Sequence, residues 1–366
     1  MNQLNQDQLS RIVIKGFKSI KECDLELGNI NVFIGSNGAG KSNFISIFEM
    51  LQRVLERELS YYVGKKGGVT PLLYNGKEAT DSILAEFHFG SYLYGFDLEW
   101  TDRDSLLFRE ERIEKNRIVV WGDGDYNESN LHEALRNTKI KKEDIQALIN
   151  TPWRIYQFHD TSASSRMKSE HNISNFETFM RDASNLAAFL YHLCEYYPIE
   201  YNEILKIIQR IAPYFSDFVL KPRELNNEQI VLRWSHKDCD EDFIPSQLSD
   251  GTLRFICLAT LLLQPTELQP ATIIIDEPEL GLHPYAITIF TELVKKVAVK
   301  KQVILATQSV ELLDKFDAEN VIVVDRDENG SKFKRLDTKE LSAWLEDDYS
   351  LGELWNKNIL GGRVSR

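Results

Sequence analysis

The stretch GSNGAGKSNF, residues 35 to 44, follows the apolar run NINVFI and leads into SNFISIFEMLQRVLERE. Gly35, Gly40, Lys41 and Ser42 satisfy G-x-x-x-x-G-K-[ST], a pattern that a chain of this length would produce by chance on the order of 1% of the time. Phe44, Ile45, Phe48, Leu51, Val54 and Leu55 recur at helical spacing, so a strand precedes the loop and a helix follows it. Each residue type has a reason: glycines let successive N–H groups curl toward a phosphate, and the helix N-terminus adds its positive dipole end. Lys41 reaches the β and γ oxygens and the Ser42 hydroxyl ligates Mg²⁺. This loop limits the fold to strand–loop–helix architectures that hold a nucleotide.

Three further stretches bear on the same chemistry. In ATIIIDEPELGLHP, residues 271 to 284, a buried strand ends in Asp276, placed for a metal, and Glu277, placed to take a proton from water. By itself a strand ending in Asp-Glu is more often a turn or cap; beside a phosphate loop the chemical role prevails. In QLSDGTLRF, residues 247 to 255, Ser249 and Gly251 open a helix as an anion site or as a plain N-cap. In QVILATQSVELLD, Gln308 follows a strand and either senses a γ-phosphate or lies beside capping Thr307 and Ser309.

The rest of the chain supplies a frame. RIVIKGF and NINVFI suggest a small sheet leading into the loop, residues 82 to 121 alternate as an antiparallel meander, and LHEALRNTKIKKEDIQALI has the pattern of a solvated helix. Residues 173 to 215 are helical in pattern, and QIVLRWSH is strand-like. Later strands alternate with helices, which points to a mainly parallel sheet. The expected class is α/β: a P-loop mixed sheet flanked by helices, with an antiparallel meander and a helical lobe. One lobe covers 1–157 and 266–336, a helical lobe 158–265, and a tail 337–366. With 43 basic and 56 acidic residues the net charge is −13, which argues against non-specific coating of nucleic acid. Basic clusters at Lys65–Lys66, Lys141–Lys142, Lys295–Lys296 and Lys332–Arg335 are phosphate contacts or, more commonly, solvated faces. The four cysteines have no CxxC spacing and no apolar run approaches a membrane span, so a cytoplasmic protein with no membrane association is expected. Asp325 and Asp327 in VIVVDRDENG read as a hairpin turn sooner than a metal site. The apolar tail, with Leu351, Leu354, Trp355, Ile359 and Leu360, folds back on its own core or docks on a partner.

Together GSNGAGKSN, LSDGT, IIIDEP, ELGLHP and ATQS resemble, in order, the motifs of the ABC-type AAA family ATPase heads of RecF, SMC and OLD-like proteins; IKGFKSI resembles their DNA-associated branch. The resemblance spans nearly the whole chain. It implies ATP and Mg²⁺ as cofactors, with ATP on Gly35, Ser36, Asn37, Gly38, Ala39, Gly40, Lys41, Ser42 and Asn43. Ser42, Asp276 and Gln157 would hold the metal, and Glu277, Lys41 and Gln308 would carry catalysis. Gln308 departs from the usual His. Gln157, in RIYQFHDTS, is the Q-loop candidate or an interior residue, and His159 and Asp160 reach the site, bond each other or cap a turn. The resemblance further implies a homodimer or higher oligomer in which Ser249 and Gly251 complete the partner's ATP site. From Gly40 to Leu248 the interval is 208 residues, longer than in transporter subunits of the class, and it holds no heptad coiled coil. The expectation is a switch ATPase acting with DNA or a separate effector such as a nuclease, in antiviral defence or DNA repair. A nucleotide-gated scaffold is the alternative from another class, and a transporter subunit the third.

Overall fold

The computed structural model describes residues 8–362 except 91, 116, 117, 123, 125, 132–152, 224, 225, 347 and 348; the helix expected over 131–149 lies outside these but for its first residue. The chain runs β1 (Leu9–Phe17), β2 (Ile20–Glu26), β3 (Ile30–Ile34), α1 (Lys41–Leu55), α2 (Leu59–Lys65), β4 (Ser82–Phe89), β5 (Tyr92–Trp100), β6 (Leu106–Lys115), β7 (Ile118–Gly122) and β8 (Trp153–Tyr156). Next come β9 (His171–Asn172), α3 (Leu186–Tyr196), α4 (Pro198–Ile211), β10 (Phe215–Phe218), β11 (Gln229–Ile230), β12 (Trp234–His236) and β13 (Asp242–Phe243). The last third holds α5 (Asp250–Leu263), β14 (Thr272–Asp276), α6 (Pro284–Val297), β15 (Gln302–Thr307), α7 (Val310–Leu313), β16 (Val321–Asp327), β17 (Gly330–Arg335), α8 (Thr338–Glu346) and α9 (Leu351–Asn356).

Two six-stranded sheets dominate. One, in the order β2-β1-β4-β5-β6-β7, is antiparallel, and in β4 the residues Ile83, Ala85, Phe87 and Phe89 are buried while those between them are half exposed. The other runs β17-β16-β3-β15-β14-β8 and is parallel except at β17, which returns on β16 across the turn Glu328–Asn329. Here β14 and β15 are buried at every residue, the pattern of strands covered on both faces.

The small sheet of RIVIKGF and NINVFI is corrected: these runs belong to different sheets. β1 pairs with β2 and β4, whereas β3 lies between β15 and β16. The partner of β1 is IKECDLE, whose outward polar residues disguised a strand. Residues 173–185 are also not helical. The Asn185 side chain accepts the Met180 N–H at 3.0 Å and donates to the carbonyls of Asn175 and Thr178, satisfying a loop where a helix would have bonded itself. QIVLRWSH splits into β11 and β12.

α1 packs between the sheets. Phe44 meets Phe33 of the parallel sheet at 4.5 Å between ring centroids, and Phe48 meets Phe87 of the antiparallel sheet at 6.1 Å. On the other face of the parallel sheet Val32, Ile34, Ile273 and Ile275 join residues of α3, α5 and α6 in a second core. Leu351, Leu354, Trp355 and Leu360 are buried in that core, so the tail folds back on its own chain. Among the described residues no helix is long and apolar enough to cross a membrane.

Candidate nucleotide site

In the parallel sheet the order β3-β15-β14-β8 sets four carboxyl ends in a row. Each end carries one of the stretches singled out in the sequence: Gly35 after β3, Gln308 after β15, Asp276 and Glu277 at β14, and Gln157 after β8. Crevices at the carboxyl ends of such strands are where open α/β sheets bind ligands.

Gly35 to Gly40 form the loop, and α1 begins at Lys41 with its first N–H groups facing it. Gly40 has φ 123°, a conformation an L side chain rarely adopts, and a Cβ there would run into the Ser331 hydroxyl. Ser331 Oγ in turn donates to the Ala39 carbonyl at 2.6 Å, and Asn43 Nδ2 donates to Ser19 Oγ at 2.7 Å, so β17 and the β1–β2 turn brace the loop. The Ser36 N–H donates to the Gly362 carbonyl at 3.1 Å, which ties the tail to the same loop. Ser36 is half exposed, while Asn37, Gly38 and Ser42 are exposed and free to face a ligand. Lys41 Nζ donates to the Gly35 and Ser36 carbonyls at 2.6 and 3.1 Å. Burial holds its ammonium below the ordinary lysine value, opposed by the charges of Glu277, Asp276 and Glu279. Beside the loop lies a cavity of about 440 Å³ lined by Lys18, Ser19, Asn43, Lys66 and Arg326 among others.

Asp276 is 5% exposed. Its Oδ2 accepts from Gln157 Nε2 at 3.1 Å, its backbone carbonyl lies 3.0 Å from His159 Nε2, and its Oδ1 is buried with no partner. Burial raises its carboxyl above the usual range, with the Gln157 hydrogen bond pulling the other way. An orphaned carboxylate oxygen in so enclosed a place suits a hard cation that takes oxygen ligands, whereas Gln157 turns its NH₂ group, not its oxygen, toward the carboxylate. Of the residues that follow Gln157, Asp160 caps a turn by accepting the Ser162 N–H.

At Glu277 the backbone enters the left-handed region, φ 48°, and its N–H donates to the Ala306 carbonyl at 2.8 Å. The turn directs its carboxylate along the row of strand ends, where Oε1 accepts from Gln308 Nε2 at 2.5 Å. The expected amide at the β15 tip therefore grips the expected base. Glu279, which no sequence pattern marks, braces the β15 tip: its Oε1 accepts from Thr307 Oγ1 at 2.6 Å and from the Gln308 N–H at 3.2 Å.

Ser249 N-caps α5, accepting the Thr252 N–H at 3.1 Å, and is exposed. Gly251 lies against the Gly281 carbonyl, where a Cβ would collide. The hydrogen bonds described for Ser249 stay within its own helix start, at Thr252. What links it to the strand ends is Arg254, whose guanidinium donates to the carbonyls of Phe158, His159 and Leu280. Nothing in the sequence marked Arg254, because its partners lie up to 96 residues away.

The turn residues Asp325 and Asp327 accept from the N–H groups of Arg326 and Asn329, and among the described residues no group of three His, Cys, Asp or Glu stands ready for a metal. Of the basic clusters, Lys66 pairs with Glu49, Lys296 with Glu203 and Lys334 with Glu340; Lys141 and Lys142 lie outside the described residues.

A family model described as "AAA domain, putative AbiEii toxin, Type IV TA system" matches residues 30–314. The Old nuclease of Escherichia phage P2 is 26% identical over 378 residues, an alignment covering 93% of this chain and 62% of that protein. The chain thus spans less than two thirds of that relative's length. Among solved structures, an SMC head bound to the C-winged helix domain of ScpA matches with a TM-score of 0.53 at 15% identity, covering 92% of this chain and 99% of that one. The Smc head domain with an extended coiled coil, bound to the C-terminal domain of ScpA derived from Pyrococcus furiosus, gives 0.54 at 15% identity, covering 93% and 99%. The fold is that of an SMC head.

Proposed function

The chain belongs to this AAA-domain family, of ABC/AAA type and resembling OLD and SMC ATPases, and we propose that it binds and hydrolyses ATP as a dimerising switch. The observation that carries this reading is the row of four parallel strand ends bearing Gly35–Ser42, Gln308, Asp276–Glu277 and Gln157. Backbone N–H groups of the loop and Lys41 hold the β- and γ-phosphates, which requires Lys41 to leave the Gly35 carbonyl. Ser42, Asp276 and Gln157 would hold Mg²⁺, which would supply neutralisation of the phosphate charge. Glu277 accepts the proton of the attacking water, and Gln308 fixes the carboxylate that does so.

Ser249 and Gly251 serve a second copy. The exposure of Ser249 at the start of α5, with its hydrogen bonds kept to its own helix start, supports a head-to-tail pair in which each signature closes on the other's phosphates. ATP then joins the heads and hydrolysis frees them. The similarity to Old nuclease supports an effector of nuclease class as the partner, and with it a role in defence against phage or in DNA transactions.

Phosphate release from ATP, measured for the parent chain and for Glu277→Gln, tests this. Hydrolysis by the parent and a loss on the order of 10³-fold in the variant are expected, since a positioned base contributes about 10²–10⁴. Light scattering of the variant with ATP should show twice the starting mass. Equal rates would remove Glu277 from the chemistry, and an unchanged mass would remove the shared site.

A further inference from the structure

Gln157 is held at both ends of its amide. Nε2 donates to Asp276 Oδ2 at 3.1 Å, and Oε1 accepts from Arg181 Nη2 at 2.7 Å. The backbone repeats the tie, since the Gln157 N–H donates to the Arg181 carbonyl at 2.9 Å. Partner chemistry dictates this orientation: a guanidinium only donates and an ionised carboxylate only accepts. The amide therefore turns its NH₂ toward Asp276 and its oxygen away. A hard cation takes oxygen ligands, so this resting orientation presents the wrong end of Gln157 to a metal on Asp276.

We infer that Arg181 is a positioning residue that holds Gln157 in a metal-rejecting orientation, so that the amide oxygen must leave the guanidinium before it can join Asp276 around a divalent cation. Glu49 sets the strength of that hold. Its Oε1 accepts from Arg181 Nη1 at 3.3 Å, and its Oε2 takes Lys66 Nζ at 3.0 Å. Glu49 stands on α1, the helix that starts at the phosphate loop, and Lys66 lines the cavity beside that loop. A continuous set of side chains thus joins the loop's helix to the Asp276 carboxylate. The inference rests on the proposed metal role of Asp276 and Gln157.

The test is Mn²⁺ uptake followed by electron paramagnetic resonance, with a non-hydrolysable ATP analogue bound. Arg181→Met should lower the half-saturating Mn²⁺ by about three- to tenfold, the range of one net hydrogen bond. Glu49→Gln, by loosening Arg181, should lower it as well; removal of a negative charge by itself would raise it. When Gln157→Ala is added, the lowering by Glu49→Gln should disappear and that by Arg181→Met should shrink, leaving only the effect of the altered charge. The inference is overturned by no shift or a rise in Arg181→Met, by a rise in Glu49→Gln, or by equal shifts with and without Gln157. Thermal melting confirms that each variant folds, and Glu49→Gln decides the matter should Arg181→Met not fold. A parent chain that takes up no Mn²⁺ with the analogue overturns the metal site itself, and this inference with it.

Discussion

The two six-stranded sheets of this molecule have similar sizes and opposite uses. In the parallel sheet, β3, β15, β14 and β8 all point the same way, so their carboxyl ends lie side by side and four distant stretches meet. In the antiparallel sheet alternate strands point in opposite directions, and no edge collects successive strand ends. Its contribution is mechanical: Phe87 packs on Phe48 of α1, and the β1–β2 turn supplies Ser19 to the loop. Direction, more than composition, decides which sheet can build a site.

Phe87→Ala sharpens that contrast with the largest expected effect. Phe87 is fully buried, and its loss should cost about 3–5 kcal/mol of stability by chemical denaturation while ATP affinity of the folded chain stays near parental. An affinity loss as large as the stability loss would mean the antiparallel sheet belongs to the site. Thr307→Val works from the other side. It removes a hydrogen bond to Glu279 and another from the Ser309 N–H, and should cost about 1–3 kcal/mol while slowing phosphate release by freeing Gln308. A variant that turns over ATP at the parental rate would break the link between strand tip and base.

The smallest effect concerns pH. Burial raises the Glu279 carboxyl, so the folded chain favours its protonated form. Stability from that preference is full below the unfolded value near 4.5 and is lost as pH rises through the folded one. Glu279→Gln keeps an acceptor for Thr307 and carries no charge, so at pH 8 it should melt about 2 °C above the parent, with the gap closing toward pH 4. A gap that widens toward acid would reverse the assignment.

Much of the site was legible because each motif directly follows an apolar run: IIID before Glu277, VILAT before Gln308, NVFI before Gly35. What the sequence concealed is lateral. Neighbouring strands β3 and β15 are separated by more than 260 residues, and no local pattern announces which apolar runs will pair. The same reason hid Arg254, Glu279 and Arg181, whose roles consist of contacts to other segments. β2 was missed because IKECDLE buries only three of its seven residues. Asn185 undid an expected helix by bonding three backbone groups ahead of it.

Calorimetric titration of ATP with Mg²⁺ into the parent chain and into Lys41→Ala most directly tests whether the row of strand ends holds a nucleotide. Lys41 sits among the charges of Glu277, Asp276 and Glu279 and bonds to the loop carbonyls of Gly35 and Ser36. Its removal should weaken binding on the order of 100-fold, the worth of a charge-assisted hydrogen bond to phosphate. Equal affinity in the two proteins, or heat from neither, would contradict a nucleotide at this site.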